Sequence, residues 1–167
     1  MPFIASVTPQ FIEPIIDNFL TVIARDFALA SAAVTGESAL PAFAQLAKSR
    51  RVDVRYPFVG CYGVRSTLGG REEDQAPDER HEIRIEIALI GSDPEALTGL
   101  LYKYVRAVDW IVRHASNADM SEDLSGNGAS DPIWTISAHD YSLIRQNALQ
   151  QYLQQAQITV LVEVTEE

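Results

Sequence analysis

The side chains best suited to covalent or metal chemistry in this chain are His81, His114, His139 and Cys61. Metal sites on helices or strands need ligands at short repeating offsets, and none of these residues shares such an offset with a second strong ligand. His139-Asp140 followed by Ser142 offers the residue types of a hydrolytic triad. Neighbours along a strand point to opposite faces, however, and no G-x-S-x-G elbow is present to expose a nucleophile. Cys61, between Gly60 and Tyr62, has no adjacent base and no helix N-terminus to stabilise a thiolate, so it is expected to be a small buried hydrophobe. Leu68–Glu72, "LGGRE", pairs two glycines but lacks the strand-to-helix context of a phosphate loop. The chain is therefore expected to be no enzyme, with no catalytic residue, metal or cofactor.

Two surface features remain. Lys103, Arg106, Trp110 and Arg113 recur at offsets of three and four, off the apolar stripe of a long helix. They form either a solvated face or a contact surface, since Trp and Arg are the residues most enriched at binding hot spots. Acid is concentrated in two polar segments. Gly69–Arg80 nets −3 and includes Glu72, Glu73 and Asp74; Ser116–Asp131 nets −4 and includes Glu122 and Asp123.

The elements that must position these residues are legible in the spacing of apolar side chains. Ile83, Ile85, Ile87 and Leu89 alternate with polar partners, as in a strand with one buried face. Gly91 ends it. Ser92 with Glu95 reads as a capping box, with Pro94 in the first turn. Leu97, Leu101, Tyr104, Val105, Val108, Ile111 and Val112 then predict a helix to about Ala115, roughly 33 Å long. Ile15 to Phe27 predict an N-terminal helix within Thr8–Ala30, regular from Pro14 with Glu13 just outside and broken by Thr35-Gly36. Ser38–Lys48 reads as a short second helix. The basic cluster Lys48, Arg50, Arg51 and Arg55 reads as a solvated connector. Arg51–Thr67 is extended, with Pro57, Gly60 and Gly63 marking an edge or bulge.

Ser116–Asp131 reads as a loop. Pro132–Leu143 reads as a strand with Trp134, Ile136 and Ala138 on one face. Gln146–Gln157, "QNALQQYLQQAQ", reads as a polar connector, or as a helical or extended approach to the last strand. Ile158, Val160, Val162 and Val164 make that strand. The expected architecture is α+β: a small, largely antiparallel sheet with the N-terminal helix and the long helix packed mainly on one face. A single domain is expected over 1–167, with polar loops at about 69–80 and 116–131.

Bulk properties exclude several classes. The chain has 167 residues, 47% hydrophobic and 22% charged, as in an ordinary globular protein. One cysteine excludes an internal disulfide, and no basic region precedes an apolar run at the N-terminus, so no secretory signal is expected. A net charge of −10 argues against a dedicated binder of nucleic acid or anionic membrane.

The order and character of "YPFVGCYGV", an acidic loop, "HEIRIEIALIGSDPEALTGLLYKYVRAVDWIV", a polar loop, "WTISAHDYS" and "ITVLVEVTEE" resemble the tail terminator, or tail-completion, proteins of long-tailed bacteriophages. The resemblance spans most of Pro9–Glu167. It implies a subunit of a ring, commonly a hexamer, that caps the tail tube, stops its polymerisation and docks to the head connector. Such a protein belongs to the tail or neck of the virion and is assembled in the bacterial host cytoplasm. DNA passes nearby without tight binding. On this reading the face of Lys103, Arg106, Trp110 and Arg113 meets an acidic loop of a neighbour. The alternatives are another phage neck or head–tail joining protein, or an intracellular ligand-binding or regulatory α+β domain.

Overall fold

The computed structural model describes residues 11–51, 54–68, 78–124, 131–146 and 151–165. Its elements are α1 (Ile12–Thr35), β1 (Gln45–Ala47), β2 (Phe58–Leu68), β3 (Asp78–Gly91), α2 (Pro94–His114), α3 (Asn117–Met120), β4 (Ile133–Gln146) and β5 (Gln151–Thr165). The five strands form one sheet in the order β1-β2-β3-β5-β4, antiparallel throughout except for the β1–β2 pair. The fold is α+β, as the periodicities predict.

The alternation in β3 builds the core. Ile83, Ile85 and Ile87 face Val160, Ile158 and Ala156 of β5, and Ile85 and Ile87 face Cys61 and Val59 of β2. All of these are buried beneath α1 and α2 in one continuous cluster. Cys61 is fully enclosed, and burial, with a smaller push from Asp17, raises its thiol pKa far above the ordinary range. It packs as the small hydrophobe its sequence context predicts.

α1 begins at Ile12 rather than Pro14. Pro14 is its third residue, where an N–H has no partner within the helix, so proline costs no hydrogen bond there. The helix also runs past Ala30 to Thr35 and stops at Gly36, which takes a left-handed φ of 68° and donates its N–H to Ala32 O. Its first turn lies close on β2: a β-carbon at Gly63 would sit 2.4 Å from Ile12 Cδ1.

Several expectations need correction. The cap of α2 is Asp93, not Ser92; its carboxylate accepts from the N–H groups of Glu95 and Ala96, and Pro94 takes the first helical position. Ser38–Lys48 is not helical. It crosses as irregular chain that ends in β1, with Phe43 packed between Phe27 and Tyr104. Pro41 has little place in such a helix, and Leu46 pairs with Val59 instead. The polar connector over Gln146–Gln157 gives way from Gln151 to β5, which is bonded to both β3 and β4. Asp78–Arg80 likewise belongs to β3 rather than to a loop. Within β4, a register shift between Ile136 and Ala138 reverses the expected parity: His139 and Tyr141 share the helix-side face with Trp134 and Ile136, and Ala138 does not.

Among the described residues, the opposite face of the sheet is covered at one end only. Phe58, Ala88 and Leu153 are buried there against Ala47, Val54 and Tyr56. Of the basic cluster, Lys48, Arg50 and Arg55 are exposed, as a solvated connector predicts, and only Arg51 is half-buried in that cover. Arg51 Nε lies 3.6 Å from Glu86, Arg50 lies 5.2 Å over the Tyr62 ring, and Lys48 binds Glu13 and Asp17. Ser49 O would be 2.3 Å from a β-carbon at Gly60, so glycine is required for the crossing. Elsewhere this face presents Arg84, Gln155, Gln157, Thr159, Leu161 and the Arg80–Glu163 pair.

Candidate functional site

The candidate surface is built on α2, whose inner side carries Leu97, Leu101, Tyr104, Val105, Val108, Ile111 and Val112. The same 3.6-residue period that buries them turns Lys103, Arg106, Trp110 and Arg113 outward. Trp110 stacks on His114 at 4.4 Å, and His114 Nδ1 donates to the Trp110 carbonyl. The indole nonetheless stays 42% exposed, enough to contact a second molecule. Lys103 is held by Glu37 at 2.9 Å and Arg113 by Asp109 at 2.7 Å. Among the described residues Arg106 has no ion pair, so much of the expected charge of this face is already neutralised within the chain.

Asp109 does more than hold Arg113. Its second oxygen accepts from His139 Nε2 at 2.9 Å, which ties edge strand β4 to α2. Trp134 Nε1 donates to Val112 O at 2.7 Å and makes a second tie. On either side of the Asp109–His139 link the surface opens. One groove, of about 490 Å³, is lined by Arg113, His114, Ile133, Trp134 and Ile136. The other, of about 260 Å³, lies among Leu101, Tyr102, Tyr141 and Leu143. The helix face and the β4 edge thus make one apolar, partly basic surface. Sequence periodicity on the helix could not supply the strand's share of it, because the bulge that turns His139 and Tyr141 toward α2 leaves no mark in residue types.

Of the two acidic segments, Glu72, Glu73 and Asp74 lie outside the described residues. Glu122 and Asp123 are exposed, but their segment is not simply a loop. α3 is capped by Ser116, and Met120 and Leu124 enter the core. The buried Asn18 side chain donates to Met120 O at 3.1 Å and to Glu122 O at 2.9 Å. Arg25 grips both Asp26 and Asp119, and its guanidinium lowers the Asp119 carboxyl to about 2. Glu122 and Asp123 thus lie on the α1 side of the molecule, separate from the outer face of α2. Within one chain the two halves of the candidate interface are therefore held by different elements.

A hydroxyl–imidazole–carboxylate row exists away from His139. Ser66 Oγ lies 2.8 Å from His81 Nδ1, and His81 Nε2 donates to Glu79 at 2.9 Å. Position 81 continues the inward parity of Ile83, Ile85 and Ile87, which is the sequence signal for its burial. Glu79 also accepts the N–H of Phe11, the residue that opens α1. With the imidazole enclosed, the row fastens the start of α1 to the sheet. Burial lowers the His81 pKa from its ordinary 6.5, outweighing the opposing pull of Glu79. A lowered folded-state pKa means the unfolded chain binds the proton first. Stability from His81 is therefore complete above about pH 6.5 and lost as pH falls through the folded value. Urea titrations at pH 7.5 and 5.5 should show the parent weakening at the lower pH, and His81→Gln should flatten the upper part of that decline. Equal slopes for both proteins would contradict it.

No family model matches the chain, and no curated protein matches it. Among solved structures it is similar to a chain described as "Virion of native gene transfer agent (GTA) particle", with a TM-score of 0.44 and 10% identity over 87% of this chain and 91% of that one. Among the described residues no three metal-ligating side chains converge, and no helix is long and apolar enough to cross a membrane.

Proposed function

We propose that the chain is a structural subunit of a virus particle, a phage tail terminator. Copies form a ring, of six in this reading, that caps the tail tube, stops its polymerisation and docks to the head connector. The observation that carries it is the asymmetry of the sheet: both long helices lie on one face, and among the described residues β1 and β4 are free edges at its two ends. Such a slab joins like copies side by side while keeping its two faces distinct, which suits a ring wall. The sequence resemblance supports the same role. The protein would belong to the tail or neck of the virion and be assembled in the host cytoplasm. Sedimentation with negative-stain imaging tests the ring: closed particles of uniform size are expected, and a monomer at every concentration would contradict it.

Weak DNA binding is expected from such a ring. Six copies at −10 each carry −60, and like-charge repulsion keeps passing DNA from adhering. Fluorescence anisotropy with duplex DNA at physiological salt should show no saturable binding, whereas tight, salt-sensitive binding would count against the proposal.

A further inference from the structure

The geometry points to a specific joint between copies: the β4 edge of one subunit receives the β1 segment of the next, with Leu46 entering the cleft beside Tyr141. This rests on the ring reading above and adds which surfaces meet. One row of paired residues crosses the whole sheet on the helix side, Leu46–Val59–Ile87–Ala156–Tyr141. Its two ends are open. Leu46 is 38% exposed and Tyr141 is 49% exposed. β1 is parallel to β2, and each later neighbour in the sheet is antiparallel, so β1 and β4 run in opposite directions. Copies placed side by side in one orientation therefore bring β4 against β1 as an antiparallel pair, which satisfies edge N–H and C=O groups on both strands.

Side chains fit the same joint. The cleft of about 260 Å³ has Leu101, Tyr102, Tyr141 and Leu143 on its apolar side and Thr98, Ser142 and Gln154 on its polar side, and it has room for a leucine. Charge matches as well. Among the described residues Arg50 and Arg55, beside β1, have no ion pair, and neither does Asp140 on β4. The occupant is thus a second copy of this chain, docked head to tail. Because the contact is heterologous, its repetition closes a ring or continues as a filament. All helices then lie on one side of the wall, and the polar sheet face with Gln155, Gln157 and Thr159 lies on the other.

Cysteine cross-linking tests the joint, since the native Cys61 is buried. The double variant Leu46→Cys/Tyr141→Cys, oxidised in solution, should give a ladder of covalent multimers on a non-reducing gel. Each single variant, and the control pair Leu46→Cys/Leu29→Cys, should give none. Rings that form without that ladder would overturn the joint and leave the ring standing. A covalent dimer from Tyr141→Cys alone would mean β4 pairs with itself and would also overturn it. A parent protein that stays monomeric would overturn both.

Discussion

Tyr104→Ala is expected to lower folding stability by about 3–5 kcal/mol, as for other large buried aromatic residues. Tyr104 is enclosed, and its ring lies 5.2 Å from Phe27 of α1 and 5.3 Å from Phe43 of the connector that leads to β1. Its hydroxyl donates to Pro41 O at 2.6 Å. One side chain thus holds α1, α2 and the connector together, and truncation leaves a cavity that three separate elements would have to close. Tyr104→Phe keeps the ring and loses only the hydrogen bond, a cost of about 1 kcal/mol. Burial also pushes the phenol up to about 12, so its ionisation does not enter below strongly alkaline pH. Urea unfolding of both variants measures the difference. A Tyr104→Ala midpoint near that of Tyr104→Phe would show that the connector is not packed as described.

The second large effect concerns assembly. Trp110→Ala is expected to weaken association of subunits by roughly 30-fold, the ~2 kcal/mol of a hot-spot aromatic residue. Arg113→Ala should cost about 0–1 kcal/mol, as exposed ion pairs do. The geometry sharpens the contrast. Arg113 is already bound to Asp109, and Lys103 to Glu37, so both have less free charge for a neighbour. Trp110 remains exposed and backed by His114. High salt should slow assembly more than it dissolves a formed ring, because rim charges act mainly on encounter. Sedimentation of both variants at low and high salt reads these effects, with circular dichroism to check that α2 is intact. A Trp110→Ala protein that assembles like its parent would make this face a solvated outer wall.

Where an element's burial is periodic, the sequence announces it. Ile83–Leu89, the stripe of α2 and Ile158–Val164 all carry their parity in residue types, and each is found as expected. The failures lie where tertiary contact decides. β1 is three residues long and exists because β2 lies beside it, so Ser38–Lys48 reads locally as helix. Gln151–Gln157 is polar because Gln155 and Gln157 are only half-buried on the sheet face away from the helices and because Gln154, turned inward, bonds Pro94 O and the Thr98 hydroxyl. Composition alone then suggests a connector. The bulge near Ser137 shifts His139 to the helix side, which couples it to Asp109. The helical half of the candidate surface was legible as a stripe of Lys103, Arg106, Trp110 and Arg113, but the internal partners of Lys103 and Arg113 depend on residues distant in sequence or hidden in the same turn.

Tail-tube polymerisation in the presence of the purified chain tests the proposed function most directly. Tube subunits growing from a fixed number of initiation complexes are followed by electron microscopy, with the chain added at increasing concentration. A tail terminator should stop elongation and leave a ring at one end of each tube, with mean length falling as its concentration rises. Tubes of unchanged length with bare ends at saturating concentration would contradict the proposal.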